Sequence, residues 1–111
     1  MGGMDLALKA LAAPRRRAIL RLVRDDELSS GDIASRFEVT GPAISQHLGV
    51  LREAGLVAER RVGTRRLYRA RPEGMADVRR FVEDFWDAGL DRLRDAAEQA
   101  QRHKDKETDD G

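Results

Sequence analysis

The sequence predicts a mainly helical chain with one small β-hairpin, in the order helix, helix, helix, helix, hairpin, helix. Three observations carry this. Apolar residues recur at helical spacing in several separate stretches. Gly55 stands where the fourth stretch breaks off, a natural left-handed helix terminator. From residue 56 to 70 the pattern changes to two short charged runs bracketing Gly63, the mark of a tight turn between strands.

The elements follow in order. Met4, Leu6, Leu8 and Leu11 among alanines suit a short amphipathic helix over 4–12. Pro14 fits the first turn of a second helix, where a missing N–H leaves no partner unsatisfied, and Ile19, Leu20, Leu22 and Val23 give that helix its apolar side to about Asp25. Asp25, Asp26 and Glu27 mark an acidic turn. Ser29 and Asp32 have capping-box spacing, with Asp in place of the usual Glu, and open a helix ending near Arg36 or Phe37. Glu38 and Val39 connect it to Thr40, a good N-cap, after which Gly41 and Pro42 start a helix running to Ala54. Two helices over 29–54 with so short a connection form a helix-turn-helix candidate.

The hairpin takes Leu56–Arg61 and Arg65–Ala70 as strands, with Val62-Gly63-Thr64 between them. Pro72 and Gly74 punctuate its end, and a long helix spans 75–102, with Val78, Val82, Phe85, Leu93, Ala97 and Ala100 near one face. Phe81, Trp86 and Leu90 widen that stripe. The polar residues 103–111 read as a disordered tail. The expectation is one domain, residues 1–102, since 111 residues supply a single core.

Composition narrows the function. There is no cysteine, so disulfides, thiolate metal sites and a Cys nucleophile are excluded. No apolar run approaches the roughly 18–20 residues of a membrane span, which gives the expectation of a soluble, cytoplasmic protein. The two histidines are 47 and 103, and no Ser/His/Asp set or phosphate loop appears, so no enzyme and no cofactor is expected. A net charge of +1 hides an asymmetry: residues 1–72 carry 14 Lys+Arg against 8 Asp+Glu, and residues 73–111 carry 7 against 12. A basic body suggests a polyanion partner.

The stretch 41–54 sharpens that suggestion. On a helical wheel Ile44, Leu48 and Leu51 group together and must face the core, while Pro42, Ser45, Gln46, Gly49, Glu53 and, near the edge, Arg52 lie away from them. A small polar face of this kind suits insertion into a DNA major groove. Gln46 can pair with adenine, and Ser45 can donate or accept at several base edges. Gly41 and Gly49 allow close backbone approach, and Thr40 with the first helical amides offers phosphate donors. His47 stands on the margin, suited equally to a neighbouring carbonyl or to DNA. Arg60, Arg61, Arg65, Arg66, Arg69 and Arg71 put six arginines in twelve residues around the turn. Such a charged strand pair resists edge aggregation, and beside a helix-turn-helix it also makes a wing that grips the DNA backbone.

Over Leu8–Arg71 the chain resembles the arsenic-repressor-type (ArsR/SmtB) winged-helix transcription regulators. The resemblance lies in L-A-A-P-R-R-R-A-I-L-R-L-V (11–23), L-S-S-G-D-I-A-S-R-F (28–37), V-T-G-P-A-I-S-Q-H-L (39–48), L-R-E-A-G-L-V (51–57) and R-R-V-G-T-R-R-L-Y (60–68). It implies a homodimer on a pseudo-palindromic operator, repression of transcription, and dimerisation through terminal helices, here 4–13 and 75–102. The family's recognition positions fall on Thr40, Gly41, Pro42, Ser45, Gln46 and His47, and its wing on Arg60–Arg66 within 56–70. Two departures stand out. Position 49, often Lys or Arg in the family, is Gly49. The metal-sensing ligands are missing, leaving Asp32 and the acidic residues Asp77, Glu83, Asp84, Asp87 and Asp91 without imidazole or thiolate company.

The resulting expectation is a sequence-specific double-stranded DNA-binding regulator of the cysteine-free branch, a repressor that does not answer to metal and whose effector is unknown. DNA contacts are expected from Thr40, Gly41, Pro42, Ser45, Gln46, His47, Arg52, Arg60, Arg61, Arg65 and Arg66. The dimer interface is expected from Leu6, Leu8, Leu11, Val82, Phe85, Trp86, Leu90 and Leu93, with Trp86 also suited to packing within one subunit. The alternative is a winged-helix protein-interaction module within a larger complex.

Overall fold

The computed structural model describes residues 3–109, and their side chains as far as residue 105. It contains α1 (Gly3–Leu11), α2 (Pro14–Asp25), β1 (Leu28–Ser29), α3 (Ser30–Phe37), α4 (Gly41–Glu53), β2 (Val57–Val62), β3 (Arg65–Ala70), a 3₁₀ turn (Pro72–Met75) and α5 (Ala76–Asp109). The chain divides into two compact units, Met1–Val78 and Arg79–Gly111, where one domain over 1–102 was expected.

In the first unit, Ile19 and Val23 of α2, Ile33 of α3 and Ile44, Leu48 and Leu51 of α4 are fully buried, joined by Leu56, Val57 and Tyr68 at the base of the sheet. The apolar periodicity of α2 and α4 is therefore what closes the core. In α1 the inward positions belong to Ala7 and Ala10, not to the leucines: Leu6 and Leu11 are half-buried and Leu8 is exposed. Small side chains let this helix lie close against α2 and α4.

The helix-turn-helix forms as its local chemistry dictates. Ser29 Oγ accepts from the Asp32 amide at 3.1 Å, and Thr40 Oγ1 accepts from the Ala43 amide at 3.3 Å, so each helix begins with an orphan donor satisfied. Only the Ser29 half of the expected capping box forms, and the Asp32 carboxylate pairs with Arg65 at 3.1 Å. Helix α4 ends in a Schellman motif: the Leu56 amide donates to the Leu51 carbonyl and the Gly55 amide to the Arg52 carbonyl, each at 2.9 Å. Gly55 takes the left-handed φ of 76° that this motif needs. Gly74 matters for another reason, since a Cβ there would collide with the Gly55 carbonyl.

The expected two-stranded hairpin is a three-stranded antiparallel sheet of order β1-β3-β2. Leu28 pairs with Tyr68 and Ser29 with Leu67, a strand too short to show any periodicity in sequence. Val62 pairs with Arg65 across the two-residue turn Gly63-Thr64. Val57 and Tyr68 are buried at the base, while residues 60–66 are all exposed, so the arginine-rich end of the hairpin carries no core.

The second unit is the body of α5. The helix begins one residue later than expected and continues through residues 103–109, which were expected to be disordered; residues 110–111 of that tail lie outside the described residues. Extending an existing helix costs far less than starting one, and Gln101 donates to Asp105 one turn ahead at 3.1 Å. At 34 residues the helix is about 51 Å long. Phe81, Phe85, Trp86, Leu90 and Leu93 are each more than half exposed and Val82 is 42% exposed. Phe85 stacks near Phe81 and meets the Trp86 ring edge-on, within the same helix.

Candidate nucleic-acid interface

Helix α4 is bolted down on one side and open on the other. Ile44, Leu48 and Leu51 are at most 1% exposed, and this fixes the opposite face outward. Thr40, Gly41, Pro42, Ser45, Gln46 and Arg52 are all exposed. A Cβ added at Gly41 or Gly49 would meet nothing within 4 Å, so both positions border open space, although Gly49 itself is half-buried. With Thr40 Oγ1 accepting from Ala43, its hydroxyl hydrogen stays available to a phosphate. The face thus offers hydroxyl and amide groups capable of reading base edges, with no long side chain in the way.

His47 is half-buried, and its ring meets an arginine where a neighbouring carbonyl was one expectation. Arg16 of α2 places Nη1 3.3 Å from His47 Nδ1. A guanidinium has no acceptor, so Nδ1 must accept and the neutral ring carries its proton on Nε2. Partial burial, with Arg16 and Arg15 nearby, holds the imidazole below its ordinary pKa. At neutral pH His47 is therefore an uncharged donor through Nε2.

The arginines following Pro14 have structural duties that the sequence reading did not assign. Arg16 Nε donates to the Ala10 carbonyl at 2.6 Å and Nη2 to the Lys9 carbonyl at 3.1 Å, while Arg17 Nη1 donates to the Leu11 carbonyl at 2.7 Å. They satisfy the last carbonyls of α1, a task suited to cations at a helix C-terminus. Arg15 lies over the Phe37 ring, 4.9 Å from its centroid. Only the run of three arginines just after a helix end hinted at this.

The wing arginines are exposed, yet most already hold a carboxylate. Arg60 makes a two-pronged contact with Glu27. Arg65 reaches Asp32 at 3.1 Å, Arg66 lies 3.5 Å from Glu59, and Arg52 of α4 reaches the other Glu59 oxygen at 2.5 Å. The hydrogen bond from Arg60 holds the Glu27 carboxyl below the usual carboxylate range and raises the guanidinium in turn. Tyr68, buried beside Glu59, has its phenol pushed up by burial first and by that negative charge second. Among the described residues the Arg61 guanidinium has neither hydrogen bond nor ion pair. Glu27, Asp32 and Glu59 therefore belong to the site as anchors for its cations. Sequence gave no sign of this, because two of the pairings span 33 residues.

Among the described residues no group of three or more His, Asp or Glu side chains is placed to hold a metal ion, and no helix is long and apolar enough to cross a membrane.

A capped helix with an open polar face, a three-residue turn before it and a basic three-stranded wing behind it define a winged helix-turn-helix DNA-binding protein. Residues 13–59 match the model of the bacterial regulatory protein, arsR family. The chain is 43% identical over 86 residues to HTH-type transcriptional regulator Rv2034 of Mycobacterium tuberculosis, covering 78% of this chain and 80% of that protein. It is 38% identical over 60 residues to transcriptional repressor SdpR of Bacillus subtilis, covering 54% and 67%. It is 50% identical over 54 residues to transcriptional activator HlyU of Vibrio cholerae, covering 49% and 50%. Among solved structures, the winged helix-turn-helix DNA-binding domain Mb0332 of Mycobacterium bovis, described as homodimeric, superposes with a TM-score of 0.63 at 34% identity, covering 79% and 82%. The chain belongs to the arsR family. It is a DNA-binding transcriptional regulator, and relatives of this kind do not favour the interaction-module alternative.

Proposed function

We propose that two copies of this chain bind a nearly two-fold symmetric DNA operator in the cytoplasm and repress transcription by occluding it. Each α4 lies in a major groove with Ser45, Gln46 and His47 toward base edges, while Thr40, Gly41 and Pro42 approach the backbone. Arg52, Arg60, Arg61, Arg65 and Arg66 hold flanking phosphates. The copies pair through the apolar stripe of α5 (Val82, Phe85, Trp86, Leu90, Leu93) together with Leu6, Leu8 and Leu11 of α1. The protein has no catalytic role and no resident metal.

The observation that carries this reading is the division of α4 into a fully buried aliphatic edge and an open face of small polar residues. The exposed aromatic stripe of α5 supports pairing, since monomers seldom leave such apolar surface in water. Repression is favoured by the SdpR likeness, and the HlyU likeness makes activation the competing sign.

The test is a salt titration of operator binding. Replacing Arg65 and Arg66 together with Gln should weaken binding to all duplexes and reduce the slope of log affinity against log salt by nearly 2, at about 0.9 per lost phosphate contact. Unchanged affinity and slope would remove the wing from the interface.

A further inference from the structure

On the first unit, away from the open face of α4, an apolar groove of about 260 Å³ opens between α2 and the end of β3. Leu11, Leu20, Leu56, Ala70 and Met75 form its walls, and the stems of Arg21, Arg24 and Arg71 complete them. No carboxylate lines it. The three guanidinium groups differ in their engagement. Arg24 is paired with Asp25 at 3.2 Å, and Arg71 Nη1 donates to the Gly55 carbonyl at 3.2 Å. Arg21 is exposed, and among the described residues its guanidinium has no hydrogen bond or ion pair.

We propose that this groove binds a small amphipathic carboxylate, an acyl or aryl acid whose apolar body lies on the leucine walls and whose carboxylate meets Arg21 at the rim. Charge disfavours the opposite polarity: an amine at the rim would meet the uncompensated Arg21, and no carboxylate belongs to the lining. Guanidinium is also the side chain best shaped to take a carboxylate by two parallel hydrogen bonds. Size limits the ligand further. At roughly 30 Å³ per non-hydrogen atom, the share of one liquid water, the groove takes on the order of nine atoms. That is the scale of octanoate or phenylacetate and is below most drug-sized pockets.

The location gives such a ligand a route to the DNA-binding parts. Leu56 is the residue that closes the Schellman motif of α4, and its carbonyl accepts from the Arg71 amide at 2.8 Å. Ala70 is the last residue of β3, paired with Val57. A body wedged between α2 and these residues pushes on the hinge shared by the recognition helix and the wing. Coupling between the two sites is then reciprocal, so DNA must alter carboxylate affinity by the same factor. This effector role rests on the operator-binding reading above; the binding itself does not.

The experiment is calorimetric titration of the full-length protein with octanoate, with 1-octanol as the uncharged comparison. Octanoate is expected to bind, octanol to bind at least about ten-fold more weakly, and Arg21→Gln to lose a similar factor for octanoate alone, as for one charged hydrogen-bonded contact. Arg21 is exposed, so that variant should keep the wild-type melting temperature. Absence of octanoate binding, as when a second copy covers the groove through Leu11, would overturn the proposal. So would equal affinity for the acid and the alcohol, or indifference to Arg21→Gln. A parallel mobility-shift assay with and without octanoate separates the two readings: no DNA binding even without octanoate, with intact calorimetry, strikes only the operator reading, and DNA binding with no octanoate heat strikes only the groove.

Discussion

The two parts of the candidate nucleic-acid interface are held in place by different forces. Helix α4 is set by three aliphatic side chains buried to within 1% of completely, a contact that ionic strength hardly touches. The arginine end of the hairpin has no buried residue from 60 to 66 and is set by surface ion pairs to Glu27, Asp32 and Glu59. Such solvated pairs contribute little to stability and weaken with salt. In the proposed complex this makes a division of labour: the part proposed to read bases is rigidly held, and the part proposed to hold phosphates is adjustable because its cations can exchange one oxygen anion for another.

Breaking the rigid half should have the largest effect. Leu48→Ala empties a fully buried position and should cost about 2–5 kcal/mol of stability in denaturant unfolding. A loss below 1 kcal/mol would show that α4 is not anchored by this contact. Gln46→Ala comes next. It leaves the fold alone and should remove about 1–3 kcal/mol of preference at one operator position, seen as relaxed selection at that base pair.

The adjustable half should respond more weakly and in the opposite direction. Asp32→Asn releases Arg65 from its carboxylate, so affinity for any duplex should rise while stability changes by less than about 1 kcal/mol. A fall in affinity would mean that Asp32 positions Arg65 for DNA more than it competes with it. Smallest is a pH effect at the boundary between the halves. The His47 imidazole is held below its ordinary value near 6.5, so the unfolded chain takes up a proton first as pH falls. The stability that His47 confers is whole above pH 6.5 and declines below it, and His47→Gln should flatten that decline in melts between pH 7 and 5.

The same contrast explains what could be read in the sequence. The caps at Ser29 and Thr40, the stop at Gly55 and the inward trio of α4 depend on residues within seven positions of one another, and all were legible. The short β1 strand, the grip of Arg16 on His47 and the ion pairs of Arg60 and Arg65 join residues more than thirty positions apart, where no periodicity points. Which side of α1 faces the core was not read from the sequence. Close helix packing favours the smaller Ala7 and Ala10, which left Leu8 outside. Composition misled at the C-terminus, where polar residues continue an established helix.

Selecting the preferred duplex from a random pool tests the central claim, a paired set of α4 helices in neighbouring major grooves. The account predicts a nearly two-fold symmetric site whose half-sites lie one DNA turn apart, about 34–36 Å, or a whole multiple of it. An asymmetric site recognised by one copy, or no enrichment over bulk DNA, would contradict it.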